Sequence, residues 1–281
     1  MRYTIDHDVD SSVFLWLDYL LVERNLGFST YSGAFTPVTS MYSGKSAYAA
    51  PHRQFVYDST ITGAVVPSGA STNGAFVPRG TGMAIDYMHG QTLFPSAVAQ
   101  PVTTRYSYKE INVYITDKPV EEILFENKYQ ERPRNAPAHT DFKPDDLVYP
   151  CILIKSEAGG NRQESFDGMA RTTMPVKLVF LAENPYQYKA VTSVLRDQQD
   201  KHIVLFPPEH LPFDQYFNLK SGSFDYSQSV SNLQEDQSRL AYLREVAISP
   251  FPDRVNSQIG PRVRGALIDI DLELMRFPHS Q

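Results

Sequence analysis

The final strand-forming stretch of the chain reads Gly265-Ala-Leu-Ile-Asp-Ile-Asp-Leu-Glu-Leu-Met-Arg-Phe277. Apolar and acidic side chains alternate along it, and successive side chains of a β-strand point to opposite faces of the sheet. One face carries Asp269, Asp271 and Glu273, and the isoleucines and leucines between them form the other face. The stretch therefore predicts a strand whose apolar face is buried by a core and whose acidic face meets solvent.

Two more strands and two helices are predicted around this strand. Residues 147–155 and 171–182 are rich in β-branched, aromatic and other apolar side chains, which favour strands. Residues 185–200 open with a proline, which is suited to the first turn of a helix, and continue with apolar residues on one side. Residues 11–27 have apolar residues at helical spacing, a pair of serines to cap the start and a glycine to end the helix.

Residues 28–116 have a different composition. They are rich in Gly, Ser, Thr and Ala, and their short aromatic or β-branched runs end at Gly, Pro or Asn. Short runs that end at such turn-forming residues are typical of antiparallel strands or extended arms. The dipeptide His89-Gly90 separates two strand-like halves, which predicts a hairpin with Gly90 at positive φ. Four aromatic residues of this segment are candidates for an assembly arm: Phe55, Tyr57, Phe76 and Tyr87.

Composition excludes several classes of protein. The 281 residues carry 26 Lys and Arg against 32 Asp and Glu, so the formal net charge is −6. A mildly acidic chain is a poor general binder of nucleic acid, because phosphate contacts need clustered basic side chains. Cys151 is the single cysteine, which excludes an intramolecular disulfide and a multi-thiolate zinc site. The longest apolar run, residues 13–17, is far too short to span a bilayer, so we expect a soluble protein without a membrane partner.

No complete catalytic motif occurs in the sequence. Gly44-Lys45-Ser46 resembles the end of a phosphate-binding loop, but Thr39 stands where that loop needs its first glycine. There is no Gly-x-Ser-x-Gly elbow, and the seven histidines include no His-x-x-x-His pair. The acidic residues within 6–10 and on 269–273 are alternatives for a divalent cation, but both patterns favour solvated acidic surface. We therefore expect no enzymatic activity, no catalytic residues, no metal and no cofactor.

A small basic group precedes the last strand and is a candidate subunit interface. Its members, Arg254, Arg262 and Arg264, are suited to pair with the acidic stripe of a neighbouring subunit. Trp16 and Tyr19 of the first helix join this candidate interface, because aromatic residues and arginine are enriched at subunit contacts. The expected partner is another copy of the chain.

The order of the elements resembles a family. An N-terminal helix is followed by a strand with an aromatic-proline step at Tyr149-Pro150, a strand that begins Arg171-Thr-Thr, a helix from Pro185 and the final alternating strand. This arrangement resembles the tail-terminator and neck proteins of long-tailed bacteriophages, over residues 11–27, 147–206 and 265–277. The resemblance implies an α+β fold in which helices pack on a mixed, mostly antiparallel sheet, with residues 28–116 as a strand-rich, Gly/Ser/Pro-rich insertion or as arms.

The resemblance also implies domains, partners and a function. Residues 1–27 would belong to the same core domain as residues 117–281, with the insertion between them. The protein would be a virion structural protein, assembled in the host cytoplasm, that forms a hexameric ring at the end of the tail tube or sheath. Its partners would be its own copies, the tail tube, the tail sheath and the neck or connector proteins.

Within such a ring, the acidic face of Asp269, Asp271 and Glu273 would line the channel, and DNA would pass without sequence-specific binding. The alternatives that the sequence leaves open are a baseplate, tail-fibre or capsid-associated adaptor, a carbohydrate-binding module, and a metal-dependent hydrolase.

Overall fold

The structure, a computed structural model, describes residues 5–23, 27–80, 82–125, 129–131, 147–157, 159–163, 169–259 and 263–276. Within these ranges the fold is α+β, as the sequence predicts, and is built on two mostly antiparallel seven-stranded sheets. The first sheet is wholly antiparallel. Its strands are β1 (Phe28–Val38), β2 (Ser46–Ala49), β3 (Gly69–Thr72), β4 (Ala75–Pro78), β5 (Ala84–Asp86), β6 (Gln91–Phe94) and β7 (Val102–Lys109).

The first sheet has the order β4-β3-β7-β1-β2-β6-β5. The two edge strands, β4 and β5, follow each other in the chain. In the segment that connects them, the Gly80 N–H donates to the Met83 carbonyl over 2.9 Å. The β5–β6 hairpin confirms the one predicted around His89-Gly90, since Asp86 pairs with Gln91 and Gly90 has a φ of 64°. A side chain at Gly90 would meet the His52 carbonyl oxygen at 2.3 Å, so glycine is required here by conformation and by space.

The second sheet is mixed. The remaining strands in chain order are β8 (Asn112–Ile115), β9 (Tyr129–Glu131), β10 (Leu147–Tyr149), β11 (Cys151–Ser156), β12 (Gly160–Gln163), β13 (Ala170–Ala182), β14 (His202–Val204), β15 (Leu240–Pro250) and β16 (Arg264–Arg276). The path of the sheet is β14-β15-β16-β13-β11-β8, with β12 on β13, whereas β9 and β10 form a separate parallel pair. The β8–β11 pairing is parallel, and the other pairings of the sheet are antiparallel.

The helices of the described residues are α1 (Ile5–Val22), α2 (Val120–Phe125), α3 (Pro185–Arg196), α4 (Tyr226–Leu233) and α5 (Asp253–Ile259). The first begins earlier than the sequence predicts, so the serine pair lies inside the helix instead of capping it. Acidic side chains in its first two turns favour this early start through the helix dipole. None of the described helices is long and apolar enough to cross a membrane.

The core lies between the two sheets. On β16 the apolar side chains predicted to be buried are at most 3% exposed, and they share one cluster with α1, α3 and the aromatic residues of the first sheet. A smaller cluster around Cys151 and Leu153, with α2 and α5, covers part of the opposite face of the second sheet. Residues 28–109 thus supply the first sheet, whereas β8, which also lies within the predicted insertion 28–116, belongs to the second sheet.

Candidate functional site

A groove of about 460 Å³ runs beside the N-terminal half of α1 and is called the α1 groove below. It lies between α1, the turn after β5, the end of β8 and the segment 211–217. Its walls are mainly apolar, with Phe14 and Leu15 from α1 and Phe213 from the segment. Ligand pockets typically measure roughly 300–1,000 Å³ and combine apolar walls with a few polar groups. The α1 groove has this size and character.

Two large apolar side chains on the wall of the α1 groove are exposed. Ile115 is 49% exposed and Phe217 is 40% exposed. Phe217 has a φ of 51°, in the left-handed region that bulky residues rarely adopt. Its N–H donates to the Asp214 carbonyl over 3.1 Å, and its carbonyl accepts from the Tyr87 N–H over 3.2 Å. The fold therefore holds the Phe217 ring at the surface although its backbone conformation is strained. Backbone strain and exposed apolar side chains are both typical of binding sites.

The polar wall of the groove is fixed by a buried carboxylate. Asp86 is fully buried, and its Oδ2 lies 2.8 Å from His89 Nδ1 and accepts from the Tyr42 hydroxyl over 2.9 Å. The other oxygen of Asp86 accepts the backbone N–H groups of Met88 and His89 over 3.0 Å and 2.9 Å. This contact orients the His89 ring, so Nε2 is the ring nitrogen that the Asp86 carboxylate does not engage.

A second buried charge cluster joins α1 to the first sheet. Asp18 of α1 contacts the ammonium of Lys109 and accepts from the Tyr57 hydroxyl over 2.9 Å. Burial raises the pKa of the Asp18 carboxyl and lowers the pKa of the Lys109 ammonium, because removal from water disfavours both charges. The Lys109 ammonium also lies over the Tyr57 ring, 4.8 Å from its centroid. This cluster serves the attachment of α1 to the sheet.

The acidic residues of β16 share one face, as the alternation predicts, and each is partly exposed. They do not form a purely negative stripe, because basic residues of the neighbouring strands lie beside them. Glu273 lies 2.8 Å from Arg244 and 3.8 Å from Arg171, and Asp269 is directly opposite Lys177 on β13. The face is therefore of mixed charge. Its position towards a channel stays a prediction.

The candidate interface residues lie in different environments. Trp16 is 8% exposed and packs inside this chain, which corrects its assignment to a subunit interface. Tyr19 stacks on Tyr226 with ring centroids 4.6 Å apart and accepts from the Ser227 hydroxyl over 2.9 Å. Arg254 and Arg264 are exposed, and Arg262 lies outside the described residues.

The expected assembly arm also needs correction. Phe55, Tyr57 and Tyr87 are at most 4% exposed and fill the core between the sheets, so they are not free to reach a partner. The physical reason is that the connection between β2 and β3, which carries Phe55 and Tyr57, and the turn after β5, which carries Tyr87, pack inward. There the three rings meet α1 and the aromatic residues of the first sheet. Phe76 alone among the four is exposed, at 61%, on the edge strand β4.

The α1 groove was not predicted from the sequence. His89-Gly90 indicated only a turn, although Asp86 stands three residues before the histidine in an otherwise apolar stretch. That Asp-x-x-His spacing in a hairpin turn is the signal that was available. The remaining wall residues come from segments about 100 to 200 positions apart, which no local pattern connects.

No group of three or more His, Cys, Asp or Glu side chains placed to hold a metal ion occurs within the described residues.

In comparisons with known proteins, no family model matches the chain. No curated protein sequence matches it either.

Proposed function

We propose that this chain is a virion structural protein of the neck or tail of a long-tailed bacteriophage. In this proposal, a ring of copies, six by analogy with the family that the sequence resembles, terminates the tail tube or sheath and joins it to the head-side connector. Its partners are its own copies and the tail tube, sheath and neck proteins, and DNA passes through the ring without sequence-specific contacts.

One observation carries the proposal. The segments that resemble tail terminators are distant in sequence, yet they form one structural unit. The strands β11, β13 and β16 are direct neighbours in the second sheet, with α1 packed on β11 and α3 on β13 and β16. The long strand-rich segment 28–109 folds as its own sheet and leaves this unit contiguous. This arrangement supports a terminator-like core that carries an insertion.

The open face of the second sheet supports an assembly role. Its residues near Cys151 are covered by α2 and α5, whereas the part that carries Asp269 and Asp271 is partly exposed and of mixed charge. In the proposed ring this face lines the channel. Its mixed charge offers DNA no cluster of basic side chains to bind, which suits passage without sequence-specific contacts.

The test is binding to tail tubes. Purified protein is mixed with purified tail tubes of a long-tailed phage that encodes it, and the mixture is examined by sedimentation and negative-stain imaging. The proposal predicts co-sedimentation and an annular density at one end of each tube. Bovine serum albumin serves as the control for trapping in the pellet. Protein that remains in the supernatant, with bare tube ends in the images, contradicts the proposal.

A further inference from the structure

We propose that the α1 groove binds an extended peptide segment of a partner protein, which adds a strand to the open edge of β8. The segment hydrogen-bonds to the backbone of Ile115 and places an apolar side chain against the wall that includes Phe14, Phe213 and Phe217. This inference goes beyond the proposed function, because it concerns a ligand of the single chain and does not depend on ring formation. It rests on the backbone groups that face the groove.

Within the described residues, β8 is an edge strand of the second sheet and pairs with β11 alone. The N–H groups of Asn112 and Thr116 donate to carbonyl groups on the side of β11 over 3.0 Å and 2.9 Å. Backbone groups of successive residues in a strand point to alternate sides, so those of Val113 and Ile115 point away from β11. This side is the edge at which the sheet can accept a further strand.

The buried amide of Gln54 closes this edge at Val113 but not at Ile115. The Val113 N–H donates to Gln54 Oε1 over 2.8 Å, and the Val113 carbonyl accepts from Gln54 Nε2 over 2.6 Å. The Gln54 side chain therefore takes the place of a partner strand over one residue. The N–H and carbonyl of Ile115 have no hydrogen-bond partner among the described residues, and Ile115 is 49% exposed.

The unpaired backbone groups of Ile115 lie at the wall of the α1 groove. Ile115 and Tyr114 both line the groove, as do Met88 and His89 of the turn after β5. The Met88 carbonyl accepts from the Gln54 N–H over 3.3 Å, so the groove begins where the closure by Gln54 ends. The open part of the edge therefore meets a surface that is suited to apolar side chains.

These backbone groups identify the occupant as an extended polypeptide. A donor and an acceptor side by side on a strand edge match the carbonyl and the N–H of a second strand, and strand addition is a recurring mode of peptide recognition. A bound helix satisfies its backbone groups internally, and an apolar small molecule has none. Either of these would exclude water and leave the N–H and carbonyl of Ile115 without partners, at a cost in free energy.

An edge of the first sheet, in contrast, is closed by the chain itself. On β5, the Ile85 N–H donates to the Asn218 side chain over 3.3 Å. The Tyr87 N–H, directly after β5, donates to the Phe217 carbonyl over 3.2 Å. Proteins commonly cover the edges of their sheets, because an uncovered edge pairs with other chains. On β8 the cover stops short of the groove, which leaves one pairing position for another chain.

The first experiment titrates the isotope-labelled chain with blocked peptides of the form acetyl-Thr-Thr-X-Thr-Thr-amide, in which X is Leu, Ile, Phe, Met, Tyr or Trp. Threonine favours an extended backbone, and X supplies the apolar side chain. We expect at least one peptide to bind, with a shift of the Ile115 amide resonance and slower hydrogen exchange of that N–H. The peptide with X as Asp is the control and is not expected to bind. Absence of binding by every peptide up to millimolar concentration overturns the inference.

Methylation of single amide nitrogens in the tightest-binding peptide tests the backbone contact. Strand addition uses alternate amides, so we expect affinity to fall by roughly 2- to 13-fold at the nitrogen that faces β8 and to change little at its neighbours. On the protein side, Ile115→Pro removes the donor, and an edge strand tolerates proline. Ile115→Ala keeps the N–H and is the matched control for loss of the side chain. Equal affinities of the two variants, or no effect of methylation at any position, overturn strand addition.

Phe217→Gly tests the apolar wall. Glycine adopts the φ of 51° without strain, so we expect the variant to keep the circular dichroism spectrum of the wild type. Loss of the ring should weaken peptide binding by about 5-fold or more. Phe76→Ala is the control, because Phe76 is exposed on β4 and does not line the groove. Equal affinities of Phe217→Gly and the wild type contradict the placement of the peptide side chain against this wall.

The outcomes separate this inference from the proposed function. Peptide binding that depends on the Ile115 N–H supports the inference, and it does so even in a chain that ignores tail tubes, a result that contradicts the function in the tail. Rings on tube ends together with no peptide binding overturn the inference and leave the proposed function standing.

Discussion

The backbone N–H of Phe206 donates to the hydroxyl of Ser12 over 2.7 Å, although 194 positions separate the two residues. Ser12 lies within α1, is fully buried and donates in turn to the Asp8 carbonyl. The serine therefore satisfies a buried backbone group of the segment that follows β14 and ties the first helix to it. A buried N–H group without an acceptor costs free energy, so this one hydroxyl couples distant parts of the chain.

Ser12→Ala removes this acceptor. We expect the free energy of unfolding to fall by about 1–3 kcal/mol, the typical cost of a buried donor left without a partner. Urea unfolding followed by tryptophan fluorescence measures the change, since Trp16 lies one turn further along α1. The matched control is Ser11→Ala, whose hydroxyl contacts His7 at the surface and whose loss should cost less than about 0.5 kcal/mol. Equal effects of the two substitutions would refute the coupling.

The buried pair of Asp18 and Lys109 gives a second prediction. Lys109→Met leaves the Asp18 carboxylate buried without its cation, and we expect a loss of about 3–5 kcal/mol in stability. The double variant Asp18→Leu with Lys109→Met removes both charges and should recover a large part of that loss. Lys177→Met, which breaks an exposed pair with Glu157, is the control at below about 1 kcal/mol. A double variant no more stable than Lys109→Met would show that the charges themselves are not the cause.

Buried tyrosines predict alkaline sensitivity. Burial raises the pKa of Tyr87 to about 12, and it also raises the pKa values of Tyr57, Tyr106 and Tyr226. The unfolded chain releases phenolic protons near pH 10, whereas the folded chain retains them. Above about pH 10 the unfolded state therefore binds fewer protons, and each retained proton lowers the free energy of unfolding by about 1.4 kcal/mol per pH unit.

Urea unfolding between about pH 8 and pH 11 measures this loss of stability. Phenolate absorbance supplies the independent readout, and the chain unfolded in guanidinium is the reference in which all 17 tyrosines titrate together. Constant stability over that range, or complete titration of the folded protein near pH 10, would be inconsistent with the burial of these rings.

The partly exposed carboxylates of β16 give a test of the proposed channel. The double variant Asp269→Lys with Asp271→Lys changes the charge of this face from mixed to positive. DNA that passes along the face should then be retarded, because the positive wall attracts its phosphates. Glu273 is left intact because Arg244 and Arg171 lie beside it and its loss would disturb them. We expect intact rings, slower DNA ejection and a reduced phage titre. Ejection and titre at wild-type levels would count against a channel position of this face.

The sequence predicted the elements whose local pattern of apolar residues matches the face that is buried in the structure. The alternation over 265–277 became β16 almost residue for residue, and Pro185 and Gly90 took the conformations expected of them. Residues 240–250 form β15 because β14 and β16 supply hydrogen-bonding edges on both sides. That information is tertiary and absent from the local pattern.

Assignments of surface and interior were less predictable. Phe55, Tyr57 and Phe76 have similar sequence surroundings, yet the first two are buried and the third is exposed. Phe55 and Tyr57 lie in the connection between β2 and β3, which packs into the core, whereas Phe76 lies on β4 at the edge of the first sheet. The α1 groove likewise needs four separate segments to be brought together. Sequence patterns report the faces of single elements and do not report which faces meet.

The central claim is that the chain assembles into a ring. The most direct measurement is the mass of the purified protein in solution by multi-angle light scattering, with negative-stain imaging of the same sample, alone and after addition of tail tubes. The account predicts a closed ring, either in solution or on the tube end, whose mass is an integral multiple of the chain's 31.8 kDa. A monomer of 31.8 kDa that forms no ring in either condition would contradict it.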